Sequence, residues 1–285
     1  MPQLKPPTTY EEQLQILHQR GVRFEDSERC RSVLAAVSYY RLTEYFLPFK
    51  KKDGGYNGVA FERVYQIYEF DRKLRRILFS AVEEIEVFLR AQLAYFHAHT
   101  YGAEGYKDPA NFSPRHDAEK FRANIDREIS SNRTVLFVKH HLEQYDGHFP
   151  IWVIMELFSF GMLSRFFSDL KPSDQKRLSR ALYQASTKEV RSWLRCCTDL
   201  RNICAHYGRL YYRIFPATPA GFDLKPAQQC RLWGAVLSVR ALYPDAQKWN
   251  TEILPAMEAL FEEYKQEIDL YHLAFPKDWS DQLFR

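Results

Sequence analysis

Residues 61–99 read FERVYQIYEFDRKLRRILFSAVEEIEVFLRAQLAYFHAH, and this stretch decides the fold class. Val64, Ile67, Tyr68, Leu74, Ile77, Leu78, Ala81, Ile85, Phe88 and Leu89 follow the period of a helix and trace one apolar stripe. A single long helix over 61–99 follows. Upstream, Lys50-Lys51-Lys52-Asp53-Gly54-Gly55-Tyr56-Asn57-Gly58 is the strongest loop signal in the chain. Before it, Thr9 with Glu12 forms a capping box that opens a short helix stopping before Gly21. Asp26 or Ser27 caps a second helix running toward Tyr39-Tyr40.

Downstream, the punctuation stays sparse and the apolar spacing stays helical. A loop is expected near 102–114 and a polar helix over 118–130. The most apolar stretch, IWVIMELFSFGMLSRFF over 151–167, is interrupted by Glu156 and Arg165. It reads as one buried core helix through residue 170, not a membrane span. Ser173 is expected to cap the next helix, ending near 183. Ser186 with Glu189 is a second capping box, opening a helix that runs to 215. Leu210–Phe215 is the only β-prone segment. Two prolines and a glycine break the pattern over 216–223, and helices over 226–242 and 253–268 follow. The expected architecture is all-α: an N-terminal helical unit over 1–58, a helical core over 59–215 and a C-terminal helical extension over 216–285.

Composition agrees with a packed globular chain. Of 285 residues, 46% are hydrophobic, 15% aromatic and 27% charged, which excludes wholesale disorder. A net charge of +4 permits a phosphate-rich partner without demanding one. The cysteines are Cys30, Cys196, Cys197, Cys204 and Cys230. They are odd in number, lack a C-x-x-C pair and suit a reducing, cytoplasmic home. The opening Met-Pro-Gln-Leu-Lys-Pro-Pro has no apolar run, so no signal peptide is expected.

The chemistry concentrates in Leu200-Arg201-Asn202-Ile203-Cys204-Ala205-His206-Tyr207-Gly208-Arg209. On a continuous helix Arg195, Asn202, His206, Arg209 and Arg213 share one face, with Arg201 flanking it, while Leu194, Cys197, Cys204 and Tyr211 form a core stripe. Arginine offers a fixed fork of donors to phosphate, and histidine moves a proton near neutral pH. The loose Arg-x4–6-His pattern is expected by chance about twice in such a chain, and Arg90–His97 and Arg133–His140 also match it. Arg-Asn-x3-His is far rarer, at about 0.02 expected occurrences. The alternative reading is a solvated helix face with an incidental histidine. Glu86 and Arg90 read first as an intrahelical ion pair, and alternatively as a support for Arg201. His97-x-His99 and His140-His141 are spaced wrongly for a shared metal, and no cofactor motif is present.

The Arg201–His206 segment resembles the signature of HEPN domains, which are α-helical and often metal-independent ribonucleases. The chain as a whole resembles the Abi family of bacterial abortive-infection proteins, of the AbiD/AbiF type. That resemblance rests on Ser38-Tyr39-Tyr40-Arg41-Leu42 with Tyr45, on Asp71-Arg72-Lys73-Leu74-Arg75 leading to Glu83-Glu84-Ile85-Glu86 and Arg90, on Pro150-x-Trp152, on Glu156-x3-Phe160-Gly161-x-Leu163-Ser164, and on Leu200-Arg201-Asn202-x3-His206-x2-Arg209-Leu210-x2-Arg213. It implies a HEPN-like bundle and a toxin-like endoribonuclease of bacterial phage defence, located in the cytoplasm and acting as a homodimer whose two motif copies form one composite site. Carried over by position, Arg201, His206 and Asn202 are catalytic. Arg209 and Arg213 match the family's paired arginines and, with Arg195 of the helix face, are expected to bind RNA phosphate, while Glu86 with Arg90 is the expected support of the Arg201 site. No metal or other cofactor is expected. RNA is the substrate, and a noncoding RNA or protein antitoxin is a possible partner. The alternative is a non-catalytic HEPN scaffold that binds RNA or a partner.

Overall fold

The computed structural model describes Leu4 and residues 6–284. Met1–Gln3, whose lack of an apolar run argued against a signal peptide, lie outside the described residues, as do Lys5 and Arg285. The chain is all-α. Its helices are α1 (Tyr10–Gln19), α2 (Ser27–Val37), α3 (Tyr39–Thr43), α4 (Phe61–Tyr101), α5 (Ala118–Ser131), α6 (Leu136–Gln144), α7 (Ile151–Ile154), α8 (Phe160–Asp169), α9 (Pro172–Tyr183), α10 (Thr187–Ala205), α11 (Pro226–Gln229), α12 (Leu232–Leu242), α13 (Ala246–Lys248), α14 (Leu254–Glu263) and α15 (Trp279–Leu283). Among the described residues β-pairing is limited to isolated bridges, such as Arg23 with Ala60. No helix among them is long and apolar enough to cross a membrane.

The long stripe folds as its spacing dictates. α4 has 41 residues and is about 60 Å long. Val64, Ile67, Leu74, Leu78, Ala81, Ile85 and Leu89 are all buried along it. Gly102 ends it with φ of 84°, a left-handed backbone that favours glycine. α7, α8, α10, α12 and α14 pack against this rod. α12 is apolar nearly all round, with every residue from Leu232 to Val239 buried, as expected of a helix enclosed by its neighbours. α1–α3 and the 3₁₀ turn Glu44–Phe49 cover one end of α4. Buried side chains from Leu17 to Leu283 form one continuous core.

Both capping boxes form: Thr9 and Glu12 open α1, and Ser186 and Glu189 open α10. Asp26 caps α2 by accepting from the Arg29 N–H at 3.0 Å. Other expectations are corrected. The apolar stretch after Pro150 is not one helix. It breaks at Phe158, and Ser159 starts α8 by accepting the Met162 N–H at 3.3 Å. The helix after Leu170 begins at Pro172 in its first position, so Ser173 lies inside it. α2 stops at Val37, because Ser38 takes φ of 69°. The helix expected over 226–242 divides at Cys230–Arg231, and that over 253–268 ends at Glu263. Leu210–Phe215 is not a strand.

The largest correction concerns α10, which ends at Ala205 and not at 215. His206 is its C-cap, Tyr207 is left-handed at φ 56°, and two bonds close the end. The Gly208 N–H donates to the Ile203 carbonyl at 2.7 Å and the Tyr207 N–H to the Cys204 carbonyl at 3.1 Å. That is a Schellman motif with tyrosine where glycine is usual. Arg209 and Arg213 therefore sit on the following loop and share no helical face with Arg195 and Asn202.

Candidate functional site

The loop after α10 is held by one buried carboxylate. Asp71, on α4 and fully buried, accepts the Leu210 N–H at 3.1 Å and the Tyr211 N–H at 2.7 Å. The Tyr45 hydroxyl donates to it at 2.7 Å, and Arg75 pairs with it one turn along the helix. Arg75 also donates to the Gly208 carbonyl at 3.2 Å, and Arg41 to the Tyr207 carbonyl at 2.7 Å. Burial pushes the Asp71 carboxyl above the ordinary aspartate range, against the pull of Arg75 and the other donors. Burial opposes the charge on Arg75, but the Asp71 carboxylate and the Tyr45 hydroxyl together outweigh it and raise its pKa. Three elements distant in sequence thus fix the backbone that carries His206.

His206 is exposed, and its ring has no hydrogen-bond partner among the described residues. It lines a cleft of about 250 Å³ with Arg209, Arg213, Arg41, Glu44 and Ser38. Glu44 lies 3.5 Å from Arg209, whose pKa burial lowers and Glu44 pulls back. Arg213 donates to the Arg209 carbonyl at 3.3 Å. Left-handed, non-glycine residues gather here: Ser38 and Tyr207 in the cleft and Tyr212 on the loop. Strain of this kind is typical of functional sites.

A second cleft of about 540 Å³ adjoins the first and shares Arg41 and Tyr207 with it. Arg72, Arg76, Tyr68 and Phe79 complete its rim. Arg76 is exposed and has no ion-pair partner among the described residues. Phe79 leads on to a third depression of about 210 Å³ that holds Arg201, Glu86 and Arg90. Arg201 lies 3.6 Å from Glu86, and its guanidinium stands 6.0 Å from the Phe79 ring centre. Glu86 also pairs with Arg90 at 2.7 Å, and Arg90 donates to the Phe158 carbonyl at 2.8 Å. So Glu86 makes both contacts weighed in the sequence, the intrahelical pair and a contact to Arg201.

Arg195 and Asn202 face elsewhere, into a groove between α8 and α10. The expected single face is therefore replaced by three neighbourhoods: His206 with Arg209 and Arg213, Arg201 with Glu86 and Arg90, and Arg195 with Asn202. Sequence reasoning gave no site role to Arg41, Arg72, Arg75, Arg76, Tyr68, Phe79 or Tyr207. The available signal was the basic run Arg72-Lys73-Leu74-Arg75-Arg76, which puts Arg72 and Arg76 one helical turn apart beside Asp71. Among the described residues no three His, Cys, Asp or Glu side chains converge as metal ligands would. The five cysteines are free.

No curated protein and no solved structure matches the chain. A family model described as "Abi-like protein" matches residues 32–212, from within α2 to the loop that carries His206. That span is well over half of the chain, which therefore belongs to the Abi-like family, a membership that points to abortive infection and phage defence.

Proposed function

We propose that the protein is a metal-independent HEPN-type endoribonuclease of bacterial abortive infection, toxin-like and cytoplasmic, working as a homodimer. One observation carries the reading. His206 is exposed and unpartnered at one end of a run of three joined depressions, and Arg201 stands at the other end. Between them lie cations and rings suited to RNA: Arg41, Arg72 and Arg76 for phosphates, and Tyr68, Phe79 and Tyr207 for bases.

RNA supplies its own nucleophile, the 2′-hydroxyl. In the proposed mechanism a His206 ring nitrogen takes the 2′-proton. The 2′-oxygen then bonds to phosphorus, and the bond from phosphorus to the 5′-oxygen breaks. The departing oxygen takes a proton from the imidazolium of the second copy, so protons balance across the composite site. Arg201 stabilises charge on the pentacoordinate phosphate, and Asn202, which faces the α8–α10 groove, holds an oxygen of a neighbouring phosphate. The products are a 2′,3′-cyclic phosphate and a 5′-hydroxyl.

The test compares host toxicity and total-RNA integrity for the wild type and His206→Ala. Toxicity and RNA cleavage that both disappear in the variant support the enzyme. A second reading, a non-catalytic RNA-binding scaffold, is favoured by the tie of Arg201 to Glu86 in a depression separate from that of His206. Equal toxicity and equal RNA integrity for the two proteins would select it. An RNA or protein antitoxin would keep the enzyme silent, and co-expression is the setting in which to find it.

A further inference from the structure

The groove between α8 and α10 lies apart from the Asp71 contacts that hold the His206 loop, yet its lining is specific. Its volume is about 950 Å³. Small residues from both helices form its floor, including Gly161, Ser164 and Ser168 of α8 and Thr198 of α10. A Cβ placed on Gly161 would stand 3.6 Å from Thr198, so the floor is already close to contact. The rim carries Arg165, Lys188, Arg191 and Arg195. Lys188 and Arg191 are exposed and have no hydrogen-bond or ion-pair partner among the described residues. Arg165 leans on Asp169 at 3.1 Å and Arg195 on Asp199 at 3.7 Å. Asp199 is the acid that lines the groove, and it is half-turned from solvent beside Arg195.

We infer that this groove is a track for the sugar–phosphate backbone of single-stranded RNA, delivering the strand to the His206 loop. Lys188, Arg191 and Arg195 climb one face of α10 in steps of about 4.5 and 6 Å, a spacing that long, flexible side chains can match to successive phosphates of a strand. The track runs from Lys188 to Asn202, about 21 Å along the axis, enough for a few nucleotides. At its far end, the Asn202 carbonyl accepts the His206 N–H at 3.0 Å, so the strand leaves the groove one turn from the imidazole. No aromatic ring lines the groove, so bases are not stacked there and the grip is independent of sequence. No large apolar side chain lines it either, which disfavours a protein partner, since such interfaces need an apolar core. RNA would then be held on both sides of the scissile phosphate: by the arginine cleft of α4 on one side, and by this groove on the other.

The inference rests on RNA being the ligand of the His206 loop and is independent of whether the chain cuts it. The test uses the full-length double variant Lys188→Gln/Arg191→Gln and a single-stranded RNA carrying 2′-O-methyl groups, which resists cleavage. Affinity is measured by fluorescence anisotropy against salt concentration. Loss of two phosphate contacts lowers the slope of log K on log salt by about 1.4 and affinity in 0.1 M salt by roughly 25-fold. The control Lys120→Gln/Arg127→Gln on α5 removes the same charge outside the groove and should leave the slope intact. A dinucleotide is too short to reach the groove, so its binding should be the same for wild type and double variant. Unchanged slope and affinity in the double variant, or an equal loss in the control, overturns the track. Cleavage that survives His206→Ala overturns the role given to His206 in the proposed function and leaves the salt-slope result standing on its own.

Discussion

Asp71→Ala removes the group that ties the His206 loop to α4. The loss has three parts. Arg75, buried at the same point, is left without its carboxylate. The N–H groups of Leu210 and Tyr211 lose their acceptor, and so does the Tyr45 hydroxyl. Removing one partner of a buried ion pair costs about 3–5 kcal/mol, because the remaining charge stays desolvated. Taking about 4 kcal/mol, and an unfolding entropy of about 2.1 cal/mol/K per residue, the melting temperature falls by about 7 °C. Tyr45→Phe removes one hydroxyl and should cost about 1 kcal/mol. Calorimetry measures both. Amide exchange locates the damage: Leu210 and Tyr211 should exchange sooner in Asp71→Ala, while the core of α12 stays protected. RNA cleavage should fall in step with the loosening of the loop. A cost under about 1 kcal/mol, or a large cost with unchanged exchange at Leu210 and Tyr211, would refute the claim that Asp71 sets this loop.

Three further outcomes follow from particular contacts. His97 is fully buried among Tyr101, Phe112 and Phe166, and neither ring nitrogen has a hydrogen-bond partner. Desolvation pulls its pKa down to about 4, so the unfolded chain takes up this proton first. Stability is then lost as pH falls from about 6.5 to about 4, by on the order of 3 kcal/mol. His97→Leu should flatten that acid limb in a melting-versus-pH series and leave stability at pH 7 unchanged or higher. Glu86→Ala frees Arg201 and Arg90 together. Cleavage should drop by up to about 100-fold through misplacement, with RNA affinity retained and Glu86→Asp restoring part of the rate. Cleavage by the wild type should be unaffected by EDTA, and a loss restored by magnesium would oppose the mechanism.

The parts of the fold legible in the sequence are those fixed by local chemistry. The α4 stripe and the Thr9 and Ser186 capping boxes need only neighbouring residues. The break at Phe158–Ser159 was masked because the apolar residues continue across it, and hydrophobicity alone cannot separate one buried helix from two. The end of α10 was hidden for a different reason. Its left-handed residue is Tyr207, not a glycine, and what holds the loop beyond it is Asp71, more than a hundred residues away. Gly208 was the one local hint, since glycine favours the residues just past a helix end. The Arg-Asn-x3-His motif falls at the end of α10, where Arg201 and His206 line two of the depressions. Its helical projection failed because His206 is the last residue the helix reaches, which sends Arg209 and Arg213 toward α3 and leaves Asn202 and Arg195 facing α8.

The most direct measurement is the chemistry of the ends made from a defined RNA by the purified protein in EDTA. The account requires a 2′,3′-cyclic phosphate and a 5′-hydroxyl, no cutting where the 2′-hydroxyl is replaced by hydrogen, and no product from His206→Ala. Fragments bearing 5′-phosphates, or cutting at a 2′-deoxy position, would show that the ribose hydroxyl is not the nucleophile and would contradict the role given to His206.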